Sequence, residues 1–97
     1  TETEISLIQL LLNAYSAKQN VEIAEINRVL GIKDKNVGLQ KKVRSDVINA
    51  INDKYIFINQ GENNLIASVR KEDDKRFYEY FVVPTEVKTV QKLIEKN

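Results

Sequence analysis

Six bases crowd one stretch of this chain. Residues 33–54 hold Lys33, Lys35, Lys41, Lys42, Arg44 and Lys54 against Asp34, Asp46 and Asp53. A second group, Arg70, Lys71, Lys75 and Arg76, brackets the acid triplet Glu72, Asp73 and Asp74. The chain as a whole is balanced, with 15 Lys and Arg against 14 Asp and Glu. Local cationic segments on a neutral chain suit a defined contact with an anion better than general polyanion binding.

Catalytic chemistry has little to work with. There is no cysteine and no histidine. That removes disulfides, most zinc sites, Cys–His and Ser–His nucleophiles and imidazole acid–base work. Carboxylates, lysines and tyrosines remain, in no recognisable constellation. The triplet at 72–74 lacks the spaced oxygen ligands of a calcium loop, and Gly61 sits in turn chemistry rather than a phosphate loop. The expectation is a protein that is not an enzyme and takes no metal or other cofactor.

The elements that must position the bases read as follows. Residues 1–18 form a helix opened by a capping box, Thr1 with Glu4. Its apolar residues, Ile5, Ile8, Leu12 and Tyr15 with Leu7, Leu10, Leu11 and Ala14, cover more than one face. Residues 20–30 form a short helix with Asn20 as cap, ended by Gly31. A polar connection, 33–36, leads to a third helix over 37–53. Setting Val43 at the centre of its inner face places Leu39, Val47, Ala50 and Ile51 beside it. The other side then carries Lys41, Ser45, Asn49 and Asn52, flanked by Lys42, Arg44 and Ile48.

From Tyr55 the period changes to two. Residues 55–58 read as a strand, 60–64 as a turn, 65–70 as a second strand, 71–75 as a charged tip and 76–83 as the strongest strand. There is room for two hairpins. Phe77, Tyr78, Tyr80 and Phe81 fit a packed core better than a stacking platform for single strands. Pro84 stops the strand, and Thr85 caps a last helix in which Val87, Val90 and Ile94 recur. The expected core is Ile8, Leu11, Leu12, Ile23, Ile26, Leu30, Val43, Val47, Ile51 and Phe81. The longest apolar run, 10–12, is far short of a membrane span, and no export signal stands at the acidic start. These point to the cytoplasm, or the nucleus of a eukaryote. The first residue is a threonine, as in a processed chain or a piece of a longer one.

Helix, helix, helix, antiparallel strands, helix resembles the winged helix-turn-helix superfamily. The segment VEIAEINRVLGI (21–32) looks like the first helix of such a unit, and VRSDVINAINDKYIFI (43–58) like a recognition helix running into a wing strand. RKEDDKR (70–76) is similar to the wing tip of MarR-type and SarA-type regulators, with Asp74-Lys75-Arg76 in the place of their D-x-R element. The resemblance implies one α+β domain over 1–97, a three-helix bundle followed by a small antiparallel wing and a C-terminal helix.

It also implies double-stranded DNA as the partner, for a transcriptional regulator or a module of a replication or plasmid protein. The third helix then enters the major groove and the wing rests on the backbone. Lys33, Lys35, Lys41, Lys42 and Arg44 suit phosphates, with Asn36 at the helix start. Ser45 and Asn49 suit base edges. Arg70, Lys71, Lys75 and Arg76 are the wing contacts. The spare apolar surface of 1–18 and 87–94 suggests a homodimer. The alternative is a protein-interaction or dimerisation module of a larger protein without DNA contact, which the near-zero net charge favours.

Overall fold

The computed structural model describes residues 1–74 and 77–95. It is an α+β fold of four helices and a three-stranded antiparallel sheet. In chain order these are α1 (Glu2–Ser16), β1 (Val21–Glu22), α2 (Ile23–Val29), α3 (Val37–Asn59), β2 (Ile66–Arg70), β3 (Tyr78–Val82), a 3-10 turn (Pro84–Glu86) and α4 (Val87–Glu95). The sheet order is β1-β3-β2. Among the described residues no helix is long and apolar enough to cross a membrane.

Helix α1 starts on the expected capping box: Thr1 Oγ1 accepts from Glu4 N, and the Glu4 carboxylate accepts from Thr1 N. Leu7 and Leu11 are its fully buried residues. The next element departs from expectation. Val21 and Glu22 are extended and pair with Tyr80 and Glu79 of β3. The helix therefore begins only at Ile23, and Asn20 does not cap it; its side chain donates to Glu79 Oε1 instead. Gly31 then turns the chain at φ +73, which suits a residue without a Cβ.

The largest correction concerns α3. It does not stop at Asp53 but continues through Asn59, so the strand expected at 55–58 is helical. Tyr55 explains this. It lies one turn beyond Ile51 and is buried, its phenol donating to Glu86 Oε1 at 2.8 Å. Strand propensity in Tyr55–Ile58 yields to that tertiary anchor. The helix ends where Gln60 takes a left-handed conformation, φ 51. One hairpin, β2–β3, follows rather than two.

The inner face of α3 is also turned. Arg44, Ile48, Ile51, Asn52 and Tyr55 are buried, while Leu39 is exposed and Val43 only half-buried. The buried stripe lies one residue, about 100°, from the expected one. Two of its members are polar. Arg44 Nη1 donates to Asn27 Oδ1 of α2 at 2.9 Å. Asn52 donates to Ile66 O and accepts from both Leu65 N and Ile66 N.

Alternation along the hairpin puts Ile66, Ser68 and Arg70 on one face with their partners Val82, Tyr80 and Tyr78. Val21 joins that face through Tyr80. Ile66, Val82 and Val21 are buried there, so this face meets the helices. Phe81 points to the other side by parity and is half-buried, not central. Of the expected core, Leu11, Ile26 and Ile51 are buried; Ile8, Leu12, Leu30 and Val47 pack around it. Ile23 and Val43 are half-buried. Leu7, Val21, Ile48, Tyr55, Leu65, Ile66, Val82, Val87 and Val90 complete the core. Pro84 opens the 3-10 turn, and Thr85 caps no helix; its hydroxyl donates to Glu86 Oε2.

Candidate nucleic-acid interface

The start of α3 is built by two amides. Asn36 is the N-cap, accepting from Leu39 N at 2.8 Å. That satisfies one of the helix's orphan donors, so Asn36 is first a structural residue. Gln40, one turn in, donates through Nε2 to Ile32 O and Lys33 O. It folds the connection back onto the helix. Lys33 and Lys35 are thereby held beside the first turn of α3.

Lys33, Lys35, Lys41, Lys42, Ser45 and Asn49 are all exposed. They differ in electrostatics. Lys42 Nζ sits 2.9 Å from Asp46 Oδ2, an i,i+4 pair in solvent, which contributes little to stability but neutralises the charge. Lys33, Lys35 and Lys41 have no acidic partner within 4 Å among the described residues. Asp46 and Asp53 share the outermost side of α3 with Asn49. Positive potential is therefore concentrated at the beginning of the helix, not along its length. Arg44 is not on this surface; it is 8% exposed.

The hairpin bases are less available than the sequence suggests. Arg70 packs its guanidinium 5.3 Å from the centroid of the Tyr78 ring. Lys71 Nζ binds Glu22 Oε1 at 3.0 Å, and that carboxylate raises the lysine's pKa. Lys71 thus ties the hairpin to β1. Its backbone N–H donates to Phe77 O, and Phe77 N–H to Asp74 O, closing the tip. Lys75 and Arg76 lie outside the described residues. Glu22 was not legible as a partner, because its register against β3 depends on a strand two residues long.

Apolar surface collects at the opposite end. An open groove of about 230 Å³ runs between α1, the end of α3 and α4, lined by Ile5, Ile8, Ile58, Val90, Leu93 and Ile94 among others. The Lys54–Glu4 ion pair borders it. Ile58 of its lining is 61% exposed, and Phe57, the residue before it in α3, is 83% exposed. The apolar sets of 1–18 and 87–94 therefore meet within one chain. No three His, Cys, Asp or Glu side chains among the described residues stand close enough to hold a metal ion. No family model, curated protein or solved structure matches this chain.

Proposed function

We propose that this chain is a winged helix-turn-helix domain that binds double-stranded DNA through the beginning of α3 and the β2–β3 hairpin. The observation that carries the reading is the gathering of Lys33, Lys35 and Lys41, all exposed and without acidic partners among the described residues, around one helix start. A helix N-terminus adds partial positive charge for a phosphate. Ser45 and Asn49 follow on the same helix with side chains able to reach base edges. Arg70 is exposed at the end of β2. The β1-β3-β2 order, with the first strand between the first two helices, supports the winged layout. Whether such a domain serves transcription or replication depends on the DNA sequence it selects.

The test is fluorescence anisotropy on a mixed-sequence duplex over a range of salt. The parent protein should bind with a marked salt slope. Lys35→Glu with Lys41→Glu, both at exposed positions, should abolish binding at moderate salt. A double variant that binds like the parent removes the reading.

A second reading draws on Phe57 and Ile58. The exposure of Ile58 in the α1/α3/α4 groove, with Phe57 exposed next to it in sequence, favours docking of another protein or a second copy of this chain there. Sedimentation showing only the 11.2 kDa species at high concentration removes the self-association form of it.

A further inference from the structure

Two of the aromatic residues expected in the core stay at the surface: Phe77 is 49% exposed and Tyr78 36%. Both line an open cleft of about 340 Å³ between α2 and the tip end of the β2–β3 hairpin, together with Ile23 and Asn27 of α2. Arg70, not part of that lining, packs its guanidinium on the Tyr78 ring and steadies it. Mainly apolar walls with a few placed polar groups are the build of a small-molecule site, and the volume falls at the small end of the usual range of about 300–1,000 Å³.

Asn27 supplies the placed polar group. It is 5% exposed. Its Oδ1 accepts from Arg44 Nη1, which fixes the orientation of the amide. The other end, Nδ2, donates to no acceptor, yet it is not sealed off. Among the described residues, Arg44 Nε is the one side-chain nitrogen or oxygen both enclosed and unbonded. A donor almost withdrawn from water, on a residue that lines an apolar cleft, has an acceptor to gain.

The same walls say what carries that acceptor. Two aromatic side chains suit a flat ring. Lys71 and Glu22 also line the cleft and are paired with each other at 3.0 Å, so it offers a ligand no net charge. That favours a carbonyl over a carboxylate or a phosphate.

We infer that this cleft is a binding site for one uncharged planar heterocycle bearing a carbonyl, the chemistry of a thymine-type nucleobase. Asn27 Nδ2 donates to the carbonyl, and the ring lies against Phe77 and Tyr78. The site shares no residue with the Lys33, Lys35 and Lys41 surface, so it stands or falls apart from duplex binding. A free nucleoside and an unpaired nucleotide of a strand present the same ring.

The test is an NMR titration of the parent protein with thymidine, following the Asn27 side-chain amide resonances. A saturable shift is expected, with 2-deoxyribose, which lacks the ring, leaving them unmoved. Resonances that ignore thymidine, or that follow the sugar equally, overturn the inference. Asn27→Asp keeps an oxygen for Arg44 and exchanges only the donor for an acceptor. It should weaken thymidine roughly tenfold, and binding equal to the parent overturns the inference. Phe77→Ala, at a half-exposed position, should also weaken thymidine roughly tenfold.

The source is decided with single-stranded oligothymidylate. If Phe77→Ala weakens the oligomer by the same factor as thymidine, the ring belongs to an unpaired strand. If it weakens thymidine alone, the site takes a free nucleoside. If it weakens neither, the aromatic wall is not a binding surface and the inference is overturned.

Discussion

Tyr55 and Glu86, 31 residues apart, share a buried hydrogen bond of 2.8 Å that joins the last turns of α3 to the turn before α4. Burial, and then the nearby carboxylate, push the Tyr55 phenol up to about 12. The bonds from Tyr55, Thr85 and Asn63 hold the Glu86 carboxyl below its ordinary 4.5. A carboxyl that ionises more readily when folded adds stability above about pH 4.5 and loses it as pH falls through the folded value. A phenol that ionises less readily when folded adds stability below pH 10 and loses it between 10 and about 12. Melting temperature should therefore fall on both limbs. Glu86→Gln should flatten the acid limb and Tyr55→Phe the alkaline one, read by circular dichroism melts across pH. An alkaline limb unchanged in Tyr55→Phe contradicts the assignment.

Asn52 joins α3 to the hairpin by three bonds to the backbone of Leu65 and Ile66. Asn52→Ala leaves two buried N–H groups and a carbonyl unsatisfied. It should cost about 3 kcal/mol in denaturant unfolding. A loss under about 1 kcal/mol means that water replaces the amide.

The left-handed residue that ends α3 is not a glycine. Gln60 at φ 51 is exposed, and its backbone N–H donates to Phe57 O. Gln60→Gly removes the Cβ penalty at that position and should stabilise by about 0.5–1 kcal/mol, visible as a raised melting temperature. A destabilised variant means that the unfolded chain gains more freedom than the cap relieves.

Ion pairing separates two adjacent lysines. Lys42 is already matched by Asp46, while Lys41 has no such partner among the described residues. In duplex titrations, Lys41→Ala should lower the salt slope by about one unit. Lys42→Ala should change it by clearly less. Equal slopes for both indicate that the Lys42–Asp46 pair opens on binding.

Much of the fold was legible because periodicity is local. The capping box at Thr1 and Glu4, the glycine turn at Gly31, the strands after Leu65 and the stripe of Val87, Val90 and Ile94 follow from spacing and turn chemistry. The failures share one cause: tertiary contacts that carry no local signal. Val21–Glu22 is a strand because β3 lies beside it, and Tyr55–Ile58 is helical because Glu86 receives Tyr55. Arg44 and Asn52 read as solvent-facing because charge and amide usually are. Their partners, Asn27 and the β2 backbone, lie 13–17 residues away in sequence. The candidate site was legible as a set of bases, but not in its division between Lys33, Lys35 and Lys41, without acidic partners among the described residues, and the engaged Lys42, Lys71 and Arg44.

The Asn52 bonds and the Lys71–Glu22 pair also fix a distance. They join the helix, the hairpin and the first strand. A ligand that touches the start of α3 and the hairpin together must supply the adjustment itself. For a duplex, that makes bending stiffness part of recognition. Sites rich in pliable pyrimidine–purine steps should be favoured over rigid A-tracts even where no side chain reaches the bases.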